Sequence, residues 1–462
     1  MSDFTDKIDS FFRISERGST IGNEIKGGII TFLAMVYILV VNPSILGDVP
    51  SAAAYGFNAL FTATALASII ACLLMGFYSR FPVALAPGMG VNAFLAYTIC
   101  LGMGFTFVQG LLVVLLSGVL FLILTITGWR MKILDSIPKS MKLAISAGIG
   151  FFIALVGLYN SGIIIHGNGC ALALGDISDA GILLALFCLV VTLVLWFKKW
   201  WGAVIVGMIA TWIVGIILNF MDVTSASTFN IPVWDPDSFF GSPDFSLVFA
   251  MFTDFEMFDG TMFAAFIAAI VSLFVVDMFD TAGTLIGVGT EAGMIDADGH
   301  LVDGEKALRV DAIATIAGAL VGTSTTTSYI ESTTGISVGA RTGLMPVIVG
   351  LMFCVSLLFA GFFGTFTSAC TVGALVLVGI LMIKNVKEID WLDPVTCAMA
   401  FMTIFMMGLA GSITTGIAAG IFTYVGGMAI TGKVKEVTPI IWILAAVFLI
   451  YLVLNEFIIP AL

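Results

Sequence analysis

The chain consists of long apolar runs separated by short polar segments, and only the polar stretch at 220–261 is long. Seven apolar segments precede it, at roughly 28–46, 59–79, 87–101, 105–127, 141–159, 180–197 and 202–219. Eight follow it, at roughly 262–288, 307–322, 329–340, 344–363, 367–383, 394–409, 412–430 and 440–457. Several are too short to cross a hydrocarbon core of about 30 Å alone, so we expect about 14 transmembrane segments. The pattern predicts an all-α polytopic membrane protein.

Composition supports this class and narrows the range of partners. Of 462 residues, 60% are hydrophobic and only 10% are charged, whereas about a quarter are charged in soluble domains. The mean hydropathy is +1.14. A lipid bilayer is therefore the expected environment, and no nucleic acid is expected as a partner. The seven cysteines lack metal-type spacing and the two histidines lie in polar loops, so we expect no metal and no cofactor.

Lysine and arginine placement predicts the orientation of the chain. Basic residues occur in the N-terminal segment 1–20 and after even-numbered spans, whereas the loops at 47–58, 160–179 and 220–261 contain none. We therefore expect a multi-pass protein of the plasma membrane with a cytoplasmic N-terminus. The segment at 440–457 either crosses the membrane outward or lies along it.

The stretch from Phe81 to Leu101, which contains the third apolar segment, cannot be one continuous helix. Pro82 and Pro87 interrupt it, and glycines at 88 and 90 weaken helix further. We expect an extended piece over 83–86 and then a half-helix that starts near Pro87, with Asn92 in its second turn. The N-terminus of such a half-helix presents unpaired N–H groups to the middle of the membrane.

A second interruption falls in the tenth apolar segment. Six consecutive Ser and Thr residues, Thr323 to Ser328, favour extended backbone, and Glu331 follows them. A helix from Glu331 to Arg341 would rise only about 15 Å, half of the hydrocarbon core. Non-helical backbone at this depth is tolerated only where it is buried in protein or lines a cavity. We therefore expect this stretch to form one side of a substrate site.

The two interruptions occupy corresponding positions in two halves of about seven spans each. An odd number of spans per half puts the halves in opposite orientations, and paired broken segments point to a transporter's binding site. The predicted division is a cytoplasmic segment 1–20, a core domain of 21–130 and 262–365, a gate domain of 131–220 and 366–462, and an extracellular connector 221–261.

The eighth apolar segment carries two carboxylates three residues apart, Asp277 and Asp280, with Thr281 and Thr284 beside them. Three-residue spacing allows both carboxylates to lie on one helical face. Each costs about 2.5–3.5 kcal/mol on insertion scales at the centre of a membrane. Two carboxylates in one span indicate a water-filled cavity, a hydrogen-bonding partner or a carboxyl group that carries a proton.

These segments together predict a site of carboxylates, an amide and hydroxyls: Asp280, Glu331, Asn92, Thr284, Ser328 and Thr333. No Lys or Arg accompanies them at membrane depth, as a permanent anion would require. A planar heterocycle with N–H donors and carbonyl acceptors fits this combination. A carboxylate that takes up a proton on one side and releases it on the other would couple transport to protons. The residues alone predict a transporter of a small polar or cationic solute.

Each candidate also has a purely structural interpretation. Glu331 would then satisfy the Ser/Thr strand or cap the half-helix, and Asp280 would bond a neighbouring helix. Asp277 would brace Asp280 or cap a helix, and Asn92 would satisfy backbone groups freed by Pro87.

Four motifs in order resemble the AzgA-like purine permeases of the nucleobase–cation symporter (xanthine/uracil permease) family. They are E-I-K-G-G-I-I-T-F-L-A-M-V-Y-I-L-V-V-N-P (24–43), A-P-G-M-G-V-N-A-F (86–94), D-M-F-D-T-A-G-T-L-I-G-V (277–288) and T-S-Y-I-E-S-T-T-G-I-S-V-G-A-R-T-G (327–343). The resemblance implies the uracil-permease fold, with two inverted seven-span repeats, a core domain and a gate domain. Short β-strands are expected in the broken third and tenth spans.

The resemblance also implies roles for particular residues. The purine-contacting positions fall on Asn92, Asp280 and Glu331. The other residues expected to bind substrate are Gly88, Thr284, Ser328 and Tyr329, and the proton-coupling candidates are Glu331, Asp280 and Asp277. Thr284 stands where the broader family often has a histidine, which argues against xanthine or uracil as substrate.

The expected function is import of a purine nucleobase by proton symport, through an elevator-like or rocking motion of the core against the gate. Guanine, hypoxanthine and adenine remain three candidate substrates, sodium remains a second candidate ion, and a homodimer is compatible with the sequence. The first alternative is a sulfate-type anion carrier of the same fold. The second is an intramembrane aspartyl enzyme built on Asp277 and Asp280, although we expect no enzymatic activity.

Overall fold

A computed structural model describes residues 2–129, 133, 136–167, 172–200, 202–221, 230–234, 239–254, 262–294, 301 and 304–453. The expected connector is therefore described only in part, and the end of the segment at 440–457 falls outside these residues. The described residues are almost entirely helical, with four three-residue strands.

Nine helices in the described part of the chain are long and apolar enough to cross a membrane. They are Ile21–Gly47, Gly56–Ser79, Phe107–Ile126, Lys139–Asn160, Ala180–Phe197, Ala203–Phe220, Leu344–Gly364, Ser368–Glu388 and Ile413–Ile430. Shorter apolar helices are Met89–Gly102, Ala265–Met278, Pro394–Leu409 and Pro439–Ile450. The prediction of a polytopic helical membrane protein is confirmed, and the count of 14 spans stays a prediction.

Several of these helices are composite or belong to longer ones. The first span consists of helices Ile21–Met35 and Ile38–Gly47. A π-helix, Met75–Ser79, ends the second span, and another, Phe94–Gly102, continues the short helix Met89–Ala93. The remaining helices that concern the site are Phe263–Glu291, Gly304–Val321 and Ser332–Ser337.

The helices pack in two groups. In one group, Phe107–Ile126 and Gly56–Leu74 pack on Gly304–Val321, and Leu344–Ser356 packs on Gly56–Leu74 and Ile21–Met35. In the other, Lys139–Asn160 packs on Ser368–Ile383 and Pro394–Leu409, and Ala180–Phe197 packs on Ser368–Ile383. The first group belongs to the predicted core and the second to the predicted gate, a division that stays a prediction.

Two of the strands meet between the halves of the chain. Strand β1, Leu85–Pro87, pairs antiparallel with β4, Thr326–Ser328, so that Ala86 lies opposite Thr327. Both strands are fully buried. The other two, β2 (Ile164–His166) and β3 (Leu172–Leu174), form a separate antiparallel pair that the sequence pattern did not predict.

Both interruptions differ from their predicted limits by a few residues. β1 begins at Leu85 rather than at residue 83, since the backbone first turns at Arg80, whose φ is 56°, and Val83 N donates to Phe81 O at 2.9 Å. The following helix begins at Met89, with Gly88 rather than Pro87 at its N-cap. Pro87 instead pairs with Thr326 as the last residue of β1.

The second half-helix is shorter than predicted and ends at Ser337 instead of reaching Arg341. Gly339 has a φ of 104°, which turns the chain out of the helix. The buried Glu24 carboxylate then accepts the backbone N–H groups of Arg341 at 2.7 Å and Thr342 at 3.3 Å. The Arg341 guanidinium donates to the carbonyl oxygen of Ile336 at 2.5 Å. The first span therefore fixes the end of the half-helix.

Glycines allow the broken segment to pack closely against the second span. A Cβ placed on Gly343 would lie 2.3 Å from the carbonyl oxygen of Gly76 and 2.6 Å from the Cα atom of Arg80. These are backbone atoms, which cannot move aside as a flexible side chain can. On Gly426, by contrast, an added Cβ would meet no atom within 4 Å.

We therefore predict that Gly343→Ala lowers the thermal unfolding temperature of the detergent-purified protein, because overpacking costs about 1–3 kcal/mol. Gly426→Ala, the same change in open space, should leave the unfolding temperature unchanged or raise it slightly, since alanine favours helix. Equal unfolding temperatures for the two variants would contradict the close approach of Gly343 to Gly76.

Candidate functional site

A cavity of about 830 Å³ opens beside the β1–β4 pair. Its polar lining consists of Tyr37, Ser146, Lys199, Asp280, Thr284, Glu291, Thr327, Ser328, Tyr329, Glu331, Thr333, Thr334, Ser337 and Lys384. The remaining lining is Gly88, Met89, Gly90, Ile153, Gly287, Ile330, Val378, Leu381 and Met382. Its walls come from helices Phe263–Glu291 and Ser332–Ser337, which pack on the first group, and from helices Lys139–Asn160 and Ser368–Ile383 of the second group. The size lies within the range typical of small-molecule sites.

Hydrogen bonds beyond the strand register fix the floor of this cavity. Gly88 N donates to Thr325 O at 2.9 Å, and Tyr329 N donates to Ala84 O at 3.0 Å. The Tyr329 hydroxyl donates to the carbonyl oxygen of Pro87 at 2.6 Å. The N–H and C=O groups of one broken segment thus pair with those of the other. A low-dielectric interior requires such pairing, because no water is there to replace it.

Asp280 approaches the strand pair from helix Phe263–Glu291. Its Oδ2 atom lies 3.4 Å from the Thr327 hydroxyl, which donates to it. The same oxygen lies 3.4 Å from the position of a Cβ added to Gly88, and Thr327 Oγ1 lies 2.8 Å from that position. A side chain at residue 88 would therefore fill the space beside the carboxylate, so glycine there keeps Asp280 accessible.

Glu331 lies across the same cavity, immediately before the half-helix. Its carboxylate makes no capping bond to helix Ser332–Ser337. Instead, Oε1 accepts a hydrogen bond of 2.6 Å from the hydroxyl of Tyr37, which comes from the first span. The Glu331 carboxylate thus bonds to a side chain of a distant segment and does not cap the N–H groups of the helix that follows it.

The structure brings seven of the predicted site residues to this cavity and leaves two outside it. Gly88, Asp280, Thr284, Ser328, Tyr329, Glu331 and Thr333 line it. Asn92 and Asp277 are not among the lining residues.

Asn92 lies behind the strand pair rather than in the cavity. It is fully buried, its amide nitrogen is 3.5 Å from the carbonyl oxygen of Pro87, and its Oδ1 accepts a bond from the Ser324 hydroxyl. These contacts match the structural interpretation, in which the amide satisfies backbone freed by Pro87. Direct contact of Asn92 with substrate would require a rearrangement of this structure.

Asp277 and Asp280 contact different elements: Asp277 contacts helix Gly304–Val321, whereas Asp280 contacts strand β4. Asp277 is fully buried, and its Oδ2 lies 3.4 Å from the Thr315 hydroxyl on helix Gly304–Val321. Three residues along an α-helix correspond to about 300° of rotation, which leaves the two side chains about 60° apart. That angle is enough to separate a cavity-lining carboxylate from one packed between helices.

Two residues of the site region were missed by sequence reasoning. The fully buried carboxylate of Asp311 accepts the Thr281 hydroxyl at 2.8 Å and the Ser328 hydroxyl at 3.2 Å. Asp311 lies two residues after Arg309, near the charged start of the apolar segment at 307–322, and this position in the sequence carries no signal of a place beside the site. Tyr37 lies in an uninterrupted apolar run, which carries no signal of a polar partner.

The cavity has a charged mouth formed by its exposed lining residues, and a hydrogen-bonded cluster lies at the opposite end of helix Lys139–Asn160. Lys199, Glu291 and Lys384 line the mouth. Lys139, at the start of helix Lys139–Asn160, pairs with Glu388 at 2.7 Å, and Glu388 shares a short helix with Lys384. The start of helix Lys139–Asn160 therefore lies on the same side of the protein as the mouth.

At the other end of this helix, about 33 Å away, Asn160 meets residues of the first and third spans. Its amide nitrogen lies 3.3 Å from Asp48 Oδ2 and 3.2 Å from the Tyr97 hydroxyl, and Tyr97 donates to Asp48 at 2.6 Å. Burial raises the pKa of Asp48 from its ordinary value, and the bonds from Tyr97 and Asn160 oppose that rise.

Comparison with known proteins assigns the chain to a family. The sequence profile of the xanthine/uracil permeases, described as "Permease family", matches residues 22–419. The chain belongs to the xanthine/uracil permease family. The prediction of a transporter rather than an enzyme is thereby confirmed at the level of the family.

Curated permeases match over nearly the whole chain. The guanine/hypoxanthine permease PbuG of Bacillus subtilis (strain 168) is 39% identical, over 96% of this chain and 99% of its own length. The adenine permease AdeQ of Escherichia coli (strain K12) is 35% identical, over 97% of each chain. These relatives agree with the AzgA-like resemblance within the permease family.

Solved structures share the fold at low identity. The transmembrane domain of a cyanobacterial bicarbonate transporter, BicA, matches with a TM-score of 0.59 and 14% identity, over 86% of this chain and 97% of that one. The murine anion transporter Slc26a9, in its inward-facing state, also matches with a TM-score of 0.59, at 13% identity, over 89% of this chain and 69% of that one. At these identities the likeness describes the fold of this permease alone.

The donor set of the cavity does not resemble a metal centre. Among the described residues, no group of three or more His, Cys, Asp or Glu side chains is arranged to hold a metal ion. The cavity lining consists of carboxylates, hydroxyls, two lysines and apolar side chains.

We predict that Thr281→Val destabilises this permease, because it removes a hydroxyl that donates to the buried Asp311 carboxylate. The expected cost is about 1–3 kcal/mol, measured as a lower thermal unfolding temperature of the purified protein. Thr127→Val is the matched control, since the exposed Thr127 hydroxyl donates to the carbonyl oxygens of Ile123 and Leu124 on its own helix. An equal response of both variants would contradict a structural role for the Thr281–Asp311 bond.

Proposed function

We propose that this permease imports purine nucleobases, with guanine, hypoxanthine and adenine as candidate substrates, by proton symport across the plasma membrane. The observation that carries the proposal is the pair of carboxylates, Asp280 and Glu331, in one cavity beside the joined broken segments. The names of the relatives, guanine/hypoxanthine permease and adenine permease, support the same class of substrate.

The chemistry of the cavity suits a planar base with N–H donors on its edge. Carboxylates accept hydrogen bonds only, and bonds to a charged acceptor are about twice as strong as neutral ones. The hydroxyl of Thr284 can donate to a ring nitrogen or a carbonyl. Met89, Ile153 and Val378 supply apolar surface for the faces of the ring.

Proton coupling is assigned to the same carboxylates. A carboxylate in a low-dielectric cavity binds a proton more readily than one in water, so Asp280 or Glu331 can be protonated on one side of the membrane and deprotonated on the other. Asp277, buried behind them beside Thr315, is the third candidate. Symport then requires that one of the two carboxylates carries the proton while the other stays ionised and accepts the N–H groups of the substrate, so that proton and substrate cross together.

Alternating access follows from the arrangement of the two packing groups. Lys199, Glu291 and Lys384 at the open mouth favour a cytoplasmic assignment for that side under the positive-inside rule. The Asp48–Tyr97–Asn160 bonds, at the opposite face, join the proposed core to the proposed gate. We infer an inward-open state, which a sliding or rocking motion of the core would convert to an outward-open one. The N-terminus is then cytoplasmic.

An anion carrier of the same fold accounts for the cavity less well. The lysines lie at the mouth, whereas the cavity next to the strand pair carries Asp280 and Glu331, which would repel an anion. The low-identity match to anion transporters concerns the fold alone. An aspartyl enzyme would require Asp277 and Asp280 to act as a pair, but Asp277 packs towards Thr315 instead.

The proposal is tested by uptake of radiolabelled hypoxanthine into liposomes that contain the purified protein, with and without an inward proton gradient. We expect the gradient to stimulate uptake in the wild type. Glu331→Gln and Asp280→Asn should each reduce uptake about 10- to 100-fold, because a hydrogen bond to a charged group contributes about 1.5–3 kcal/mol. Guanine and adenine serve as competitors.

Glu436→Gln is the matched control, because Glu436 is an exposed carboxylate on a short 3-10 helix away from the cavity. It should transport like the wild type. Absence of uptake and of binding for every purine, in protein that is folded by size-exclusion chromatography, would overturn the purine assignment. Uptake driven by sodium but not by protons would overturn the coupling alone.

A further inference from the structure

We propose that Tyr37 is a positioning residue that holds the Glu331 carboxylate for the N–H edge of the substrate and thereby sets the affinity for it. The inference rests on the proposed purine transport and extends it to the first span, to which no role in recognition has been given. It starts from one contact between segments nearly 300 residues apart in sequence.

The backbone makes Tyr37 a fixed point. Helix Ile21–Met35 ends just before it and helix Ile38–Gly47 begins just after it, so Tyr37 lies in the short break of the first span. Its side chain is 1% exposed, yet it is part of the cavity lining. A ring packed this tightly has little rotational freedom, and its hydroxyl therefore has a defined position at the cavity wall.

The contact itself is short and directed at a carboxylate. The Tyr37 hydroxyl donates to Glu331 Oε1 at 2.6 Å, within the range of charge-assisted O–H···O⁻ bonds. This bond engages Oε1 and restricts the orientation of the carboxylate, so that Oε2 can face a ligand N–H. A carboxylate on the residue before a six-residue helix would otherwise adopt several rotamers.

The other tyrosine of the cavity has a different partner. The Tyr329 hydroxyl donates to the backbone carbonyl of Pro87, so it stabilises the strand pair and does not hold a carboxylate. Tyr37 therefore differs from Tyr329 in acting on an acid of the proposed substrate site. Removal of the Tyr37 hydroxyl should lower the affinity for the substrate more than it lowers the stability of the fold.

The functional test compares Tyr37→Phe with the wild type in purified, reconstituted protein. Loss of a hydrogen bond that orients a charged acceptor should raise the Kd and the KM for hypoxanthine about 10-fold. The maximal rate should stay within about two-fold of the wild type, because the moving parts are unchanged. Tyr424→Phe is the control, since Tyr424 lies on helix Ile413–Ile430 away from the cavity, and it should change neither value.

A spectroscopic readout tests the contact without any purine. In infrared difference spectra, the Glu331 carboxylate band is identified by its loss in Glu331→Gln. Tyr37→Phe should shift that band, because the stretching frequency of a carboxylate depends on its hydrogen bonds, and Tyr424→Phe should not.

The outcomes separate this inference from the proposed function. A shifted band with an unchanged Kd would overturn the positioning role while leaving purine transport intact. An unshifted band would overturn the contact itself. A lower maximal rate with an unchanged KM would also overturn the proposal, because Tyr37 would then act on a conformational step. Failure of every variant and of the wild type to bind purines, with a shifted band, would overturn the proposed function instead.

Discussion

The need to satisfy backbone hydrogen bonds inside a membrane governs the arrangement of this permease. Two spans are broken, and each break would leave N–H and C=O groups without partners at a depth where water is scarce. The breaks resolve this together, because β1 pairs with β4 and the chain around them adds Gly88 N to Thr325 O and Tyr329 N to Ala84 O. Neither break would be stable alone, so the two halves of the chain must meet at this point.

The proposed site is a consequence of that pairing. The strand pair interrupts helical packing and leaves a cavity, into which Asp280 and Glu331 project from segments held in place by their neighbours. Glycine at residue 88 keeps the space beside Asp280 open, and Tyr37 fixes Glu331 from the first span. Low-identity relatives that share the fold include anion transporters, so the fold alone does not determine the substrate. We propose that the side chains around the strand pair determine it.

Much of the fold could be predicted from the sequence, because apolar run length and proline position act locally. Pro82, Pro87 and the Ser/Thr run identified both interruptions, although their limits were off by a few residues. Those limits depend on contacts between distant segments, such as the pairing of Pro87 with Thr326 and the Glu24 carboxylate on the backbone of Arg341. A local pattern carries no information about such partners.

The site was predictable to the extent that charge inside a membrane is conspicuous. Asp280 and Glu331 stood out as carboxylates in apolar spans, and both line the cavity. Asn92 and Asp277 stood out equally, yet a rotation about the helix axis directs each of them to packing contacts. Tyr37 did not stand out, since a tyrosine in an apolar run is ordinary and only the tertiary structure reveals its partner.

The most direct test of this account is a structure of the permease with hypoxanthine bound, determined by electron cryomicroscopy. We expect the base in the cavity beside the β1–β4 pair, with its N–H edge within hydrogen-bonding distance of Asp280 or Glu331 and with Tyr37 still on Glu331. A base bound elsewhere, or bound in this cavity with both carboxylates turned away from it, would contradict the central claim that the joined broken spans build the substrate site.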